Sequence, residues 1–187
     1  MSATNRGAKR NESDFYATPF ETVYSLLDHI DISDDAVILE TGAGSGNIIK
    51  ALRDRDYDNQ IDAVELRASE RVNLEIWADN VVIGDFLTME YLPKYDLIIG
   101  NPPYSLAQEF IDKSLSLLKP GGRLIYLLRT NFLESKKRFK WWRDKLPSGL
   151  YTLHKRPSFT GKGTDATAYS WFIWTNGETD GQIISVI

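Results

Sequence analysis

The chain has 187 residues, of which 42% are hydrophobic and 26% charged, and its formal net charge is −4. This composition is typical of a folded globular protein and excludes disordered and fibrous classes. Because the chain has no cysteine, zinc–thiolate sites, iron–sulfur clusters, disulfide frameworks and cysteine nucleophiles are also excluded.

Seven apolar runs bounded by turn residues predict seven strands, at residues 36–41, 61–66, 81–84, 95–100, 122–129, 150–154 and 168–174. Most of these runs are continuous rather than alternating, which indicates strands covered on both faces. Apolar residues at helical spacing follow the first, second and fourth strands, at 48–52, 72–77 and 110–118, and Lys119–Gly122 is predicted to end the third helix. This alternation predicts an α/β fold with a doubly wound, mostly parallel sheet.

A glycine-rich stretch, Glu40–Asn47, joins the first strand to the first of these helices. Glycines at this position let the backbone turn tightly and approach a ligand closely, although such a stretch also occurs as a plain strand-to-helix connection. The second and third strands end in Glu65 and in Asp85-Phe86. A carboxylate about 20 residues after the glycines is suited to ribose hydroxyls. Two cofactor classes remain, dinucleotides and S-adenosylmethionine, and Asn47 departs from the dinucleotide fingerprint.

The fourth strand runs into Asn101-Pro102-Pro103-Tyr104. Neither proline can donate a hydrogen bond, and both restrict the backbone, so the turn is rigid and rich in acceptors. Acceptance of both hydrogens of an exocyclic amine, by the Asn101 side chain and the Pro102 carbonyl, favours the pyramidal nitrogen that attacks a methyl sulfonium. Tyr104 is suited to stack on a planar base. This motif favours S-adenosylmethionine over a dinucleotide.

With these motifs the chain resembles class I S-adenosylmethionine-dependent methyltransferases, and among them the DNA adenine-N6 methyltransferases of a small phage or prophage type. Residues 14–19 are similar to a stretch of DNA methyltransferases, and the likeness to the small phage type rests on residues 156–165 and 169–172. The resemblance implies a Rossmann-like seven-stranded sheet with an antiparallel last strand. It also implies direct methyl transfer to adenine N6 in DNA. The catalytic residues that it implies are Asn101, Pro102, Pro103 and Tyr104. The implied cofactor-binding residues are Tyr16, Thr18, Pro19, Glu40, Thr41, Gly42, Ala43, Gly44, Gly46, Glu65, Leu66, Asp85, Phe86 and Asn101.

The charge of the chain is unevenly distributed, since residues 136–156 carry eight basic side chains and one acidic one, Asp144. A basic segment on an acidic body predicts a phosphate-contacting surface, although a solvated helix face has the same pattern. Trp141 and Trp142 are adjacent on a predicted helix, so we expect one to be buried and the other partly exposed. The candidate nucleic-acid contacts are Lys136, Lys137, Arg138, Lys140, Arg143, Arg156 and Lys162.

We expect residues 1–13 to be a flexible tail and residues 14–187 to be a single catalytic domain without a separate target-recognition domain. The expected partner is DNA, either duplex with a flipped adenine or single-stranded, and sequence recognition then depends on residues 130–167, a homodimer or a recognition partner. His29 and His154 lack partners at ligand spacing, so no metal is expected. The longest apolar run, Leu124–Leu128, is too short to span a membrane, and we expect a cytoplasmic protein of bacteria or of phage-infected cells. Alternatives are methylation of RNA, cytosine N4 or a protein glutamine, or a non-catalytic cofactor- or DNA-binding module.

Overall fold

The structure, a computed structural model, describes residues 17–159, 163–177 and 181–187. These residues form eight strands and five α-helices. In chain order they are α1 (Phe20–Leu27), β1 (Ile38–Thr41), α2 (Asn47–Arg53), β2 (Ile61–Glu65), α3 (Arg71–Leu74), β3 (Asn80–Ile83), β4 (Tyr95–Gly100), α4 (Ala107–Ser116), β5 (Leu118–Arg129), α5 (Phe139–Asp144), β6 (Gly149–Thr152), β7 (Tyr169–Thr175) and β8 (Ile183–Val186). Short 3-10 turns lie at Ala68–Glu70, Tyr104–Leu106 and Thr130–Leu133. The predicted tail at 1–13 and the predicted site residues Tyr16 and Lys162 lie outside the described residues.

All the strands belong to one sheet, in the order β3-β2-β1-β4-β5-β7-β6-β8. Strand β7 is antiparallel to both of its neighbours, whereas the other strand pairs are parallel. The strand order reverses between β1 and β4, which is where an open α/β sheet forms a crevice at its carboxyl edge. The predicted doubly wound, mostly parallel fold is therefore confirmed.

The predicted number of strands was wrong, because β8 adds an eighth strand parallel to β6. The antiparallel strand is therefore β7, and it is not the last one. Strand β8 has only four residues and lies at the sheet edge, where Ile183, Ile184 and Val186 are exposed. A short run that buries so little apolar surface lacks the pattern of a core strand.

The connection from α4 to β5 also differs from the prediction. Helix α4 ends at Ser116, and Leu118, which was predicted to be helical, begins β5. Residues 119–122 did not end the helix but lie within the bounds of β5. They form an excursion from the pairing with β4: Leu118 pairs with Tyr95, and the next residue of β5 that pairs is Arg123, with Leu97. Gly121 has a φ of +75°, a conformation that favours glycine.

The predicted helix after β2 is only one turn long, and most of its apolar side chains do not reach the core. Leu74 is buried, whereas Val72 and Ile76 are exposed. The described chain from 84 to 94, between β3 and β4, contains no helix. This flank of the sheet is therefore less covered than the periodicity predicted.

Two apolar layers cover the sheet, one on each face. Helices α1 and α2 pack on the face that includes Ile38, and helices α4 and α5 pack on the face that includes Leu39. Consecutive residues of β1 thus enter opposite layers, as the alternation of a strand requires. None of the described helices has the length and apolar character needed to cross a membrane.

Candidate functional site

A cleft opens at the carboxyl edge of the sheet, where β1, β2 and β4 end side by side. Its volume is about 900 Å³ with the open mouth included. Eleven predicted site residues line it: Thr18, Glu40, Gly42, Ala43, Gly44, Glu65, Leu66, Asp85, Phe86, Asn101 and Pro103. Pro19, Thr41, Gly46, Pro102 and Tyr104 are not part of this lining. The structure therefore brings most of the predicted cofactor residues together.

The glycine-rich loop between β1 and α2 takes conformations that require glycine. Gly42, Gly44 and Gly46 have φ values of +61°, +58° and +79°. The Gly46 carbonyl then accepts the first hydrogen bond of α2, from the Lys50 amide at 2.8 Å. Side chains at these positions would be strained, so the three glycines are needed for this loop shape.

Glu40 is buried at the floor of the cleft, and its Oε2 atom has no hydrogen-bond partner among the described residues. Burial, with the nearby charge of Glu65, raises the pKa of Glu40 well above its usual value, although the Ile49 amide opposes the shift. An unpartnered buried carboxylate costs free energy that a cationic ligand group offsets. The floor of the cleft is therefore suited to a cation.

Glu65, at the end of β2, is already held by the protein on both oxygens. Oε2 accepts from the Gly44 amide at 2.7 Å, and Oε1 accepts from the amide and Nε of Arg67 at 3.0 and 2.8 Å. A carboxylate has about four acceptor positions, so one acceptor position remains here for a ribose hydroxyl. The motif analysis missed Arg67, for which the only signal is its position two residues after Glu65.

An apolar slot forms the other end of the cleft. Phe86 is buried against Phe110, with ring centroids 5.1 Å apart, and the side chain of Leu66 is exposed beside it. Asp85 is exposed, and its Oδ1 accepts from the Leu87 amide at 2.9 Å. The slot is suited to a purine, with Asp85 at its rim. Sequence reasoning assigned Phe110 only to a helix core and missed its place in the cleft.

Asn101 is oriented by the segment that precedes α1. Its Nδ2 donates to Thr18 Oγ1 at 3.1 Å, and the Asn47 side chain donates to the Thr18 carbonyl at 2.9 Å. The amide oxygen of Asn101 therefore points away from Thr18. Thr18 joins the glycine-rich loop to the Asn-Pro-Pro-Tyr turn, and it is itself buried.

Tyr104 is the last residue of the Asn-Pro-Pro-Tyr turn, and its ring packs beside the end of β5 and the start of β7. Its ring centroid lies 5.8 Å from that of Tyr169 and 5.1 Å from the guanidinium carbon of Arg129. The hydroxyl is buried, and burial is the main cause that raises the pKa of Tyr104. Thr41, which is predicted to bind the cofactor, forms a 2.6 Å hydrogen bond between its Oγ1 and the hydroxyl of Tyr126.

The predicted nucleic-acid contacts that the structure describes differ in their surroundings. Lys136, Lys137 and Lys140 surround a shallow depression beside Phe139, whose side chain is 66% exposed. The other residues occupy different surroundings. Arg138 donates from Nη2 to the Phe132 carbonyl at 2.7 Å, Arg143 is exposed on α5, and Arg156 borders another depression with Pro19. The expectation for the adjacent tryptophans is confirmed, since Trp142 is buried and Trp141 is half-buried.

No group of three His, Asp or Glu side chains is placed to hold a metal ion in the part of the chain that the structure describes, residues 17–159, 163–177 and 181–187. The cleft has the features of an organic cofactor site instead. The groove is lined by a buried carboxylate, by a loop whose glycines have positive φ values and by an apolar slot. S-adenosylmethionine, with its cationic sulfonium and ammonium groups, ribose and adenine, fits this order of residues.

Comparison with known proteins gives the same fold. The M protein of the type I restriction enzyme EcoKI superposes with a TM-score of 0.68 at 18% identity, over 89% of this chain and 45% of that one. A methyltransferase from Pyrococcus furiosus superposes with a TM-score of 0.59 at 17% identity, over 89% and 90% of the two chains.

Sequence comparison finds a curated relative, the tRNA1(Val) (adenine(37)-N6)-methyltransferase of Tolumonas auensis. It is 36% identical over an alignment of 110 positions, and the alignment covers 54% of this chain and 45% of the relative. A protein of the same name from Aeromonas hydrophila is 36% identical over an alignment of 96 positions, which covers 46% of this chain and 41% of that protein. The chain thus spans less than half the length of these two relatives.

The family described as the methyltransferase small domain matches residues 22–141, which include the glycine-rich loop, Glu65 and the Asn-Pro-Pro-Tyr turn. This match covers well over half of the chain. The implied cofactor of the fold and the family is S-adenosylmethionine. The chain belongs to the methyltransferase small domain family of class I S-adenosylmethionine-dependent methyltransferases.

Proposed function

We propose that the chain transfers a methyl group from S-adenosylmethionine to the N6 amino group of adenine in a nucleic acid. The observation that carries the proposal is the position of Asn101. Its side chain is fixed by Thr18 at the wall of the cofactor cleft, next to the rigid Pro102-Pro103 turn. The names of the curated relatives, which specify adenine N6, support the same reaction.

The side chains at this turn are suited to amine methylation. An exocyclic amine conjugated to a ring is a weak nucleophile, and acceptors for both of its hydrogens favour the reactive geometry. The Asn101 amide oxygen and the Pro102 carbonyl supply those acceptors, and Tyr104 supplies an aromatic face for the base. When bound, the cofactor supplies an electrophilic methyl group, so no covalent enzyme intermediate is needed.

RNA and DNA are both candidates for the polymer, and different observations favour them. The names of the curated relatives specify tRNA, and we take RNA as the first polymer to test. The likeness of residues 14–19 to DNA methyltransferases, and of residues 156–165 and 169–172 to small DNA adenine methyltransferases, favours DNA. The family match spans residues 22–141 and covers none of these stretches.

The target base has to leave any duplex before its amino group reaches the turn. Flipping costs a few kcal/mol, and phosphate contacts and stacking offset this cost. Lys136, Lys137 and Lys140, with the exposed ring of Phe139, are suited to these contacts. A homodimer or a recognition partner would supply any longer sequence recognition.

The test is incubation of the protein with cofactor labelled at the methyl group, together with total tRNA, duplex DNA, single-stranded DNA and a mixed protein extract. Mass spectrometry of the digested polymers then identifies the product. N6-methyladenosine in tRNA or N6-methyldeoxyadenosine in DNA supports the proposal and chooses the polymer. N4-methylcytosine, methylglutamine or cofactor binding without transfer would refute it.

The matched variant is Asn101→Ala, which removes the amide and keeps the prolines. Because the substitution removes only one side-chain amide at the cleft wall, we expect the cofactor affinity to change by less than about threefold while transfer is lost. Transfer at the wild-type rate would contradict the role of Asn101.

A further inference from the structure

Four polar and aromatic residues meet at the ends of three neighbouring strands. Tyr104 follows β4, Arg129 ends β5 and Tyr169 begins β7, where it pairs directly with Arg129. Asp165 lies in the connection that leads into β7. Family membership and the Asn-Pro-Pro-Tyr turn account for Tyr104 alone, so the other three residues need an explanation.

A continuous series of contacts joins these residues. The guanidinium carbon of Arg129 lies 5.1 Å from the ring centroid of Tyr104, within the range of a cation–π contact. Arg129 Nε donates to the Tyr169 hydroxyl at 3.3 Å, and that hydroxyl donates to Asp165 Oδ2 at 2.7 Å. Each group thus orients the next, from the connection inward to the aromatic ring of the turn.

Asp165 also fixes the backbone of its own connection. Its amide donates to the Pro157 carbonyl at 3.0 Å, and its Oδ1 accepts from the Thr167 amide at 3.2 Å. The carboxylate therefore has defined partners on both oxygens, one of which is the Tyr169 hydroxyl. A group held in this way is suited to hold another group in place.

We propose that Arg129, Tyr169 and Asp165 are positioning residues that hold the ring of Tyr104 at the angle at which it receives the target base. Arg129 holds the ring through the cation–π contact, and the ring of Tyr169 packs directly against it with centroids 5.8 Å apart. Tyr169 also limits where the Arg129 guanidinium can lie, and Asp165 acts through Tyr169. The proposal rests on the proposed function, because the base that Tyr104 receives is the substrate of that reaction.

The effect expected from loss of these contacts is kinetic. A displacement of about 1 Å at a reacting group costs up to about 100-fold in rate, even when the substrate still binds. Cofactor binding should not change, because Arg129, Tyr169 and Asp165 do not line the cofactor cleft. A purely structural role would instead lower the stability without a selective loss of kcat.

The variants are Arg129→Lys, Tyr169→Phe and Asp165→Asn, each of which removes one link and keeps the size of the side chain. The matched control is Ser170→Ala. Ser170 follows Tyr169 in β7 and bonds to Thr130 and Thr152 at 2.8 and 3.0 Å, but it makes no contact with this series. We expect Tyr169→Phe and Arg129→Lys to lower kcat by about 10-fold or more and to leave the cofactor Kd within about threefold. Ser170→Ala should lower Tm and keep the wild-type kcat. The same kcat in all of these proteins would overturn the proposal.

A second readout does not depend on methyl transfer. The protein is labelled with 3-fluorotyrosine, and the fluorine resonance of Tyr104 is assigned by its loss in Tyr104→Phe. We expect Arg129→Lys, Tyr169→Phe and Asp165→Asn to shift this resonance, and Ser170→Ala to leave it in place. An unchanged resonance in Arg129→Lys and Tyr169→Phe would refute positioning even if the enzyme methylates adenine. A shifted resonance in a protein that methylates no nucleic acid would refute the proposed function and leave the positioning contacts intact.

Discussion

Replacement of Glu40 by glutamine should stabilise the ligand-free protein and weaken cofactor binding. Glu40 is buried with one oxygen unpartnered, and its pKa is raised well above its usual value by burial. A carboxyl with a raised pKa in the folded state binds its proton more tightly there than in the unfolded chain. The free energy of unfolding therefore falls as pH rises from the unfolded pKa through the folded one. Glu40→Gln removes this loss because glutamine does not ionise.

The size of the gain follows from the single unpartnered oxygen. An unsatisfied buried polar group costs about 1–3 kcal/mol, and the glutamine amide leaves part of that cost in place, so a gain of about 1 kcal/mol is expected above neutral pH. For a chain of this size that corresponds to a rise in Tm of about 2–4 °C. Loss of a charge-assisted contact of about 1.5–3 kcal/mol should weaken the cationic cofactor by roughly 10- to 100-fold.

Thermal unfolding from pH 5 to 9 and calorimetric titration with S-adenosylmethionine measure both effects. The control is Asp62→Asn, because Asp62 lies in β2 outside the cleft and accepts from the Tyr95 hydroxyl at 3.0 Å. We expect the Tm of the wild-type protein to fall relative to that of Glu40→Gln as pH rises. Asp62→Asn should bind the cofactor with wild-type affinity. Wild-type cofactor affinity in Glu40→Gln would show that Glu40 does not face the cationic groups. A Tm difference independent of pH would refute the argument from ionisation.

Two further predictions concern the glycine-rich loop and the basic depression. In unfolding by denaturant, Gly46→Ala should lower the free energy of unfolding by more than Gly121→Ala does. Both glycines have positive φ values, +79° and +75°, but a Cβ at Gly46 meets Leu74 at 3.1 Å whereas one at Gly121 meets nothing within 4 Å. Equal losses of unfolding free energy in the two variants would mean that the Leu74 side chain moves aside at little cost. Lys140→Ala should weaken nucleic-acid binding and reduce the slope of log Kd against log salt by about 1, the effect of one lost phosphate contact. The control is Lys94→Ala, because Lys94 precedes β4 and does not border the depression around Lys140. Equal slopes in the two variants would contradict a phosphate contact at Lys140.

The parts of the fold that the sequence predicts well are those governed by local pattern. Six of the strands begin and end within two residues of their predicted bounds, because turn residues bound their apolar runs. The exception among the seven predicted strands is β5, which begins four residues early because Leu118 pairs with Tyr95 before the excursion at 119–122. That pairing is a long-range contact, and no local pattern reports it.

In the candidate site, too, the features that local sequence determines can be predicted, whereas those that depend on long-range contacts cannot. The glycine-rich loop and the Asn-Pro-Pro-Tyr turn are recognisable because their residue types are required by backbone conformation and by chemistry. Arg67 and Phe110 are not recognisable, since an arginine after a strand and a phenylalanine in an amphipathic helix are ordinary. Their roles arise only when folding brings them to Glu65 and Phe86.

The reversed direction of β7 has a consequence for how substrate choice can change in this fold. Strand β6 ends at the same edge of the sheet at which β7 begins, so the connection between them, residues 153–168, leaves and re-enters the sheet beside the Asn-Pro-Pro-Tyr turn. A connection anchored at both ends by one antiparallel pair can be lengthened, shortened or exchanged while the cofactor cleft stays the same. Target choice can thus diverge through the rest of this connection provided that Asp165 keeps its place against Tyr169, and a chimaera made at Thr152 and Tyr169 has natural joints in one continuous ladder of hydrogen bonds.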